Sequence, residues 1–275
     1  MKNVINSAPE IFTFVALPCE AKPLVADWRL KKNTQIQAFA TYQNQNSVLT
    51  VSGLGKVAMA AAVAYTLARY PDVAQPLLLN LGVAGHRDFP LGSCVLADQI
   101  IDADSGRRFY PQLPFPVPCP TQALKTMSQA DDTYSDGYMR DMEASAFFET
   151  AVKFSSSELV HCLKVVSDDA ASPLANVNED AVTNWIGNRL SVVEELIAAL
   201  RDLRAVIAGS DRPDCQGILS QFHFTASNAA KLQALLNRWR LVNGVPLDLA
   251  DIDAKNAKNL IVRLEALVAE KEFYL

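Results

Sequence analysis

The sequence predicts an α/β protein with a mixed, mostly parallel central sheet flanked by helices, followed by a C-terminal helical hairpin. Two observations support this fold class. Short apolar runs rich in β-branched and aromatic residues alternate with longer helical patterns, which is typical of strands and helices that build a parallel sheet. Past a turn-rich stretch, two helical patterns then follow one another with no strand between them. We therefore predict an α/β domain at 1–208 and a helical extension at 209–275.

The apolar runs and helical patterns of the first domain are short and regularly spaced. Strands are predicted at 11–17, 47–51, 77–83, 93–101 and 162–166. Helices are predicted at 56–70, 142–154 and 179–205. Residues 104–140 break the alternation with a proline-rich stretch, which predicts an ordered but irregular loop.

The C-terminal extension carries two amphipathic stripes. The first helix presents Leu232, Leu235, Leu236 and Trp239, and Gly244 is its expected C-cap. The second, within 247–273, presents Leu260, Leu264, Leu267 and Val268. We expect this hairpin to pack on the main domain or on a partner.

Composition excludes several classes of function. The 275 residues include 25 basic and 30 acidic side chains, a formal charge of −5, which does not suit a nucleic-acid-binding protein. The five cysteines have no paired spacing, as expected in a reducing compartment. We see neither a signal peptide nor a run long enough to span a bilayer, and so expect a soluble, cytoplasmic protein with no membrane partner.

Polar residues stand where the predicted strands and helices end. Glu20 follows the first strand, Ser52 the second and Asp168 the fifth, while Glu143 opens a helix. Ligands of open parallel sheets bind beyond the carboxyl ends of the strands, so these side chains are expected to meet. Three carboxylates beside the glycine turn at 82–85 indicate acid–base chemistry on an uncharged substrate.

Simpler interpretations of these residues remain open at this point. Glu20, Asp141 and Glu143 are all placed where a carboxylate favours the start of a helix. The stretch GLGKVA at 53–58 matches a dinucleotide-binding pattern, but it follows the second strand and no acid ends the next one. The three histidines are far apart in sequence, and we expect neither a metal nor a cofactor.

Five segments occur together in a recognisable order: ALPCEAKPL (16–24), VSGLGKVAMAAA (51–62), NLGVAGH (80–86), DMEASA (141–146) and VVSDDA (165–170). They resemble the motifs of the nucleoside phosphorylase/nucleosidase superfamily, and most closely those of the methylthioadenosine/S-adenosylhomocysteine nucleosidases. The segment DADSGRRFYPQLP (102–114) is also similar to a loop of that branch. The resemblance covers roughly residues 10–205 and implies a nucleoside phosphorylase-like fold.

The resemblance implies a role for each matching residue. Asp168 would protonate the purine ring nitrogen N7, Glu20 would activate water, and Glu143 would hold the ribose hydroxyls. Met142 would pack on the ribose, and Ser52 would lie near the nucleophile. The remaining substrate contacts implied are Gly53, Gly82, Val83, Ala84, Asp141, Ser167, Phe109 and Tyr110. Because the loop with Phe109 and Tyr110 often completes a neighbouring subunit's site in this family, the resemblance also implies a homodimer.

Hydrolysis is favoured over phosphorolysis. Phosphate sites use Arg or Lys donors, and this chain has Pro18-Cys19-Glu20 and Asn80-Leu81 where the phosphorylase branch has arginines. Two departures from the nucleosidase pattern stand out. Asp141 replaces a glutamate, and the segment 112–140 is short, so that most of the strand and loop that stack on the base are expected to be missing; Phe109, Tyr110, Phe115, Tyr134 or Tyr138 could replace them. A phosphorylase and a non-catalytic nucleoside-binding or assembly protein are therefore the alternatives.

Overall fold

The computed structural model describes residues 9–131, 133–134, 136–209, 221–225, 228–229, 231–232, 235–236, 239, 247, 252 and 254–272. The chain divides into two compact units, Met1–Arg204 and Ala205–Leu275. Within the part of the chain that is described, no helix is long and apolar enough to cross a membrane.

The first unit is an α/β structure. Its strands are β1 (Ile11–Val15), β2 (Lys31–Lys32), β3 (Ala40–Gln43), β4 (Ser47–Val51), β5 (Leu77–Gly85), β6 (Cys94–Asp102), β7 (Arg108–Phe109), β8 (Thr121–Thr126), β9 (Met139–Asp141) and β10 (Val160–Asp168). Its helices are α1 (Pro18–Asp27), α2 (Lys56–Ala68), α3 (Ala144–Ala151), α4 (Glu179–Gly187) and the longer α5 (Leu190–Gly209), which continues into the second unit.

The strands form one mixed sheet that partly closes into a barrel. The strand order is β10-β6-β8-β9-β5-β1-β4-β3-β2, and β5 also pairs with β10, which closes a ring of five strands. Among the described residues, five pairings are parallel and five are antiparallel. The prediction of a mixed sheet is therefore confirmed, whereas "mostly parallel" does not describe the sheet as a whole.

The central strands are continuous apolar runs because both faces of the sheet are covered. Phe12 and Phe14 of β1 are fully buried, and the ring of Phe14 lies 5.8 Å from that of Phe147 on α3. Strands β1, β5 and β10 are parallel neighbours, so their carboxyl ends reach the same edge of the sheet. The polar residues that follow them are thereby brought together.

The irregular loop predicted at 104–140 is wrong in part. This segment contains β7, β8 and β9, and β8 pairs in parallel with both β6 and β9. A six-residue strand, β8, therefore lies within the segment that was predicted to be an irregular loop. Local sequence did not reveal it because proline-rich residues precede it and its pairing partners are distant in the chain.

The single helix predicted over 179–205 is also wrong, because two helices occupy this range. Helix α4 ends at Gly187 and α5 begins at Leu190. Gly-Asn at 187–188 favours a helix end, and the side chain of Arg189 donates a hydrogen bond of 2.7 Å to the carbonyl oxygen of Gly92. That contact holds the break between the helices.

The second unit has an apolar cluster of its own. Leu232 and Leu236 are buried together with Leu260 and Leu264, and the latter two belong to helix α6 (Ala257–Glu272). These are residues of the two predicted stripes. The predicted C-cap Gly244 and most of the predicted linker 209–217 lie outside the described residues.

Candidate active site

A cavity of about 380 Å³ lies at the carboxyl ends of β1, β5 and β10. Its walls include Ala16, Leu17, Glu20, Leu54, Val83, Ala84, Gly85, Asp131, Arg140, Asp141, Met142, Glu143, Ser167, Asp168 and Leu174. Glu20, Glu143 and Asp168 line the cavity although each is at most 5% exposed. Three buried carboxylates thus surround one cavity.

Glu20 is held by backbone N–H groups from two strands' ends. Its Oε2 accepts hydrogen bonds of 2.8 Å from Ala16 and from Leu17, and its Oε1 accepts one of 3.0 Å from Val83. Gly82 allows this approach, since a Cβ there would lie 2.7 Å from Oε1. Burial raises the pKa of Glu20 above its ordinary value, although these N–H groups and Lys164 oppose the rise.

Glu143 stands at the N-cap position of α3, before the helix rather than on its face. Its Oε1 accepts a hydrogen bond of 2.8 Å from the N–H of Gly55. Burial and the neighbouring carboxylate of Asp141 raise the pKa of Glu143 to about 7. Near neutral pH this carboxyl is therefore present in both ionised and protonated forms.

Asp141, rather than Glu143, caps helix α3. Its Oδ2 accepts hydrogen bonds from the N–H groups of Ala144 (2.8 Å) and Glu143 (3.3 Å). Its Oδ1 accepts one of 2.8 Å from the hydroxyl of Thr126 on β8. The capping interpretation thus applies to Asp141, whose carboxylate fixes the start of the helix and with it the backbone of Glu143.

Lys164 on β10 places a buried cation next to the carboxylates. Its Nζ lies 2.9 Å from Oδ2 of Asp141, and both side chains are at most 1% exposed. Burial disfavours the charged ammonium, but Asp141, Glu143 and Glu20 together raise its pKa above the ordinary value. Lys164 therefore stays charged and balances part of the negative charge of the site.

Asp168 ends β10 with both carboxylate oxygens hydrogen-bonded. The hydroxyl of Ser167 donates to Oδ1, and the phenol of Tyr134 donates to Oδ2. Gly85, on the neighbouring strand β5, leaves room for this carboxylate, since a Cβ there would lie 2.4 Å from Oδ2. The side chain of Asp168 lines the cavity.

The raised pKa of Glu143 makes a prediction about stability. The rise from 4.5 to about 7 corresponds to about 3 kcal/mol, at about 1.4 kcal/mol for each pKa unit. Because the folded protein binds this proton more tightly, the associated stability is full below pH 4.5 and is lost as the pH rises through 7. We expect Glu143→Gln, which cannot ionise, to unfold at higher denaturant concentration than the wild type at pH 8. Near pH 4.5 the two should differ little.

Urea unfolding of both proteins at these two pH values measures the difference. Glu149 on helix α3, whose side chain is 41% exposed and pairs with Arg107, provides the matched control, Glu149→Gln, for which no such pH-dependent gain is expected. A Glu143→Gln variant that is less stable than the wild type at pH 8 would contradict the burial argument.

No protein-family model and no curated protein matches this sequence. Solved structures do match. A Helicobacter pylori MTAN mutant with 5'-methylthioadenosine in the active site aligns with a TM-score of 0.58 at 11% identity, over 70% of this chain and 99% of that one. The S. pneumoniae 5'-methylthioadenosine/S-adenosylhomocysteine nucleosidase gives 0.56 at 20% identity, over 69% and 99%. The futalosine hydrolase of H. pylori gives 0.55 at 12% identity, over 70% and 98%.

The fold is that of these nucleosidase structures. In this nucleosidase fold, many of the residues chosen from sequence meet around the cavity. Besides the three carboxylates, the predicted contacts Val83, Ala84, Asp141, Met142 and Ser167 line it. Their proximity is a finding, while the role of each remains a prediction.

Other predicted contacts do not line the cavity in the described part of the chain. The hydroxyl of Ser52 donates to the carbonyl oxygens of Val15 (3.1 Å) and Gly53 (2.7 Å), so it is turned to the backbone. Phe109 packs on Phe148, with ring centroids 5.7 Å apart. Tyr110 is 56% exposed. Gly53 and Gly82 do not line the cavity, although the residues that follow them, Leu54 and Val83, do.

Sequence reasoning missed Lys164 and Arg140 in this nucleosidase fold. A signal for Lys164 was present, because a lysine inside the apolar run CLKVV must be buried with a partner if the run is a central strand. Arg140 lines the cavity and is 5% exposed in its side chain, with ion pairs to Asp136 (2.8 Å) and Asp131 (3.4 Å). Arg140 directly precedes the segment DMEASA, and no feature of the surrounding sequence predicted a role for it.

Among the described residues, no group of three or more His, Cys, Asp or Glu side chains could hold a metal ion.

Proposed function

We propose that this chain hydrolyses the N-glycosidic bond of a purine nucleoside or thionucleoside, of the methylthioadenosine/S-adenosylhomocysteine kind, and releases the free base. One observation carries the proposal: Glu20, Glu143 and Asp168 are buried around a single cavity. The nucleosidase fold and the compounds named with the similar structures support the choice of substrate. We further propose that the protein is a cytoplasmic homodimer. Its only partner is the small-molecule nucleoside, with neither a nucleic acid nor a membrane involved.

The base is the leaving group, and Asp168 is proposed to protonate it. In its acid form Asp168 donates its proton to the ring nitrogen N7 while the bond between C1′ and N9 breaks. The electron pair of that bond stays with the base, which leaves as a neutral molecule. Such proton transfer contributes typically about 10²–10⁴-fold to a rate.

The sugar becomes positively charged as the bond breaks, and Glu143 is proposed to stabilise it. A carboxylate close to an oxocarbenium ion is effective in a cavity that excludes water. The pKa of about 7 means that the ionised form of Glu143 is available at neutral pH. Met142 supplies an apolar surface for the ribose, and Asp141 keeps the backbone of Glu143 in place.

Water is the proposed nucleophile, with Glu20 as its base. The raised pKa of Glu20 makes it a stronger proton acceptor than an exposed carboxylate. The water oxygen bonds to C1′, and one of its protons passes to Glu20, so the sugar leaves as a reducing sugar with its 5′ substituent intact.

Phosphate is a poorer nucleophile for this cavity. A buried carboxylate at the nucleophile's position repels a phosphate anion, which is bound best by Arg or Lys donors. The buried cations at the cavity already carry carboxylate partners, Lys164 with Asp141 and Arg140 with Asp136.

A nucleoside panel tests the proposal. The purified chain is incubated with 5′-methylthioadenosine, S-adenosylhomocysteine, adenosine and inosine, with and without phosphate, and free base is measured. Hydrolysis predicts base release that does not depend on phosphate. Release that requires phosphate would instead identify a phosphorylase, and measurable binding without any release would identify a nucleoside-binding protein.

A further inference from the structure

The space above Gly85 is bounded by two charged side chains. Gly85 pairs with Asp168 on one side and with Arg140 on the other, so these residues flank it across three neighbouring strands. All three line the cavity. If Asp168 is the proposed acid, the purine ring must lie in this space for N7 to reach it.

The ring of Tyr134 already stands there. A Cβ built on Gly85 would lie 3.1 Å from Cε1 of Tyr134, and the Tyr134 phenol donates its hydrogen bond to Oδ2 of Asp168. The guanidinium of Arg140 lies 6.0 Å from the ring centroid. An aromatic ring with a polar tip against the acid and a cation near its face is what a bound nucleobase would present.

The backbone of Tyr134 indicates that this position is imposed by its surroundings. Its φ of 44° lies in the left-handed region, which is uncommon for a bulky side chain. Yet the side chain is only 4% exposed. The contacts around the ring therefore outweigh the backbone preference.

Ion pairs hold the segment between β8 and β9 that carries Tyr134. Arg140 pairs with Asp136 at 2.8 Å and with Asp131 at 3.4 Å, and Lys125 pairs with Asp136 at 3.2 Å. Each pair joins a strand to the connecting segment.

We propose that Tyr134 occupies the position that the nucleobase would take beside Gly85, and that a nucleoside binds by displacing its phenol from Asp168. This inference rests on the proposed function, which places the base at Asp168. The hydroxyl of Ser167 donates to Oδ1 of Asp168 and the phenol of Tyr134 donates to Oδ2. An incoming base therefore competes with the Tyr134 phenol for the carboxyl group of Asp168. Tyr134 then determines how tightly any base is held.

Two variants separate the hydroxyl from the ring. Tyr134→Phe removes the hydrogen bond to Asp168, and Tyr134→Ala also removes the ring. The dissociation constants of adenine and 5′-methylthioadenosine are measured by titration calorimetry. We expect both variants to bind about tenfold more tightly than the wild type, since each loses the hydrogen bond with which Tyr134 competes for Asp168.

Tyr70→Phe is the matched control. The Tyr70 hydroxyl donates a hydrogen bond of 2.7 Å to Oε1 of Gln43, and Tyr70 does not line the cavity. Its removal should leave the dissociation constants within about twofold. Thermal unfolding checks that each variant is folded. If Tyr134→Ala does not fold, the dissociation constants of Tyr134→Phe alone test the proposal.

The possible outcomes distinguish the displacement of Tyr134 from the proposed hydrolysis. Tighter binding by Tyr134→Phe, with no base released by any protein, would support displacement and overturn hydrolysis. Base release by the wild type, with unchanged or weaker binding by Tyr134→Phe, would support hydrolysis and overturn displacement. Weaker binding together with a lower rate would make Tyr134 part of the binding surface and overturn displacement as well.

Discussion

Replacing Asp168 by asparagine is expected to lower the rate of base release about 10²–10⁴-fold while nucleoside binding survives. Asparagine retains the size of the side chain and a carbonyl oxygen that can accept from Tyr134 or Ser167. It has no acidic proton to give to N7, so the base must leave as an anion. The initial rate of free-base release and the dissociation constant of 5′-methylthioadenosine, measured on the same protein, separate the two effects.

The adjacent residue provides the control for that variant. Asp169 accepts hydrogen bonds from the N–H groups of Ala171 (2.8 Å) and Ser172 (2.7 Å) and does not line the cavity. Asp169→Asn should therefore keep the wild-type rate within a small factor. Turnover by Asp168→Asn that equals that of Asp169→Asn would remove Asp168 from the role of acid.

Replacing Lys164 by methionine is expected to destabilise the fold by about 3–5 kcal/mol, because it leaves a buried carboxylate without its counter-charge. Methionine fills nearly the same volume, so lost packing contributes little. Asp141 is fully buried in its side chain and would then depend on Thr126 and the N–H groups of α3. Urea unfolding at pH 7 measures the loss.

A second variant distinguishes lost charge balance from lost packing. Lys164→Met combined with Asp141→Asn removes both charges and keeps the shapes, so it should recover part of the stability that the single change loses. A single variant within about 1 kcal/mol of the wild type would show that the ion pair is not what neutralises Asp141.

The strands that build the site were largely predictable from the sequence. Runs such as 11–17 and 77–83 are apolar because both faces of these strands are covered. An apolar run can be recognised from neighbouring residues in the sequence alone. Once β1, β5 and β10 are taken as parallel neighbours, Glu20 and Asp168 must reach one edge of the sheet. This is why residues 148 positions apart in the chain could be expected in one site before the structure was known.

The parts that escaped prediction depend on contacts that are distant in sequence. Strand β8 is defined by its pairing with β6 and β9, and its own residues carry only a weak alternation of buried and exposed side chains. Tyr134 could be named only as one of several aromatic residues, because its place above Gly85 depends on ion pairs made by Arg140. The hydroxyl of Ser52 was expected near the nucleophile, yet it is bound to the backbone.

The proposed nucleophile that attacks C1′ in this cavity is water and not phosphate. The most direct test incubates the protein with 5′-methylthioadenosine in buffer containing phosphate and quantifies free base and reducing sugar together. The proposed hydrolysis predicts one reducing sugar for each base released, at a rate unchanged when phosphate is left out. Base accompanied by a sugar phosphate in place of reducing sugar would contradict it.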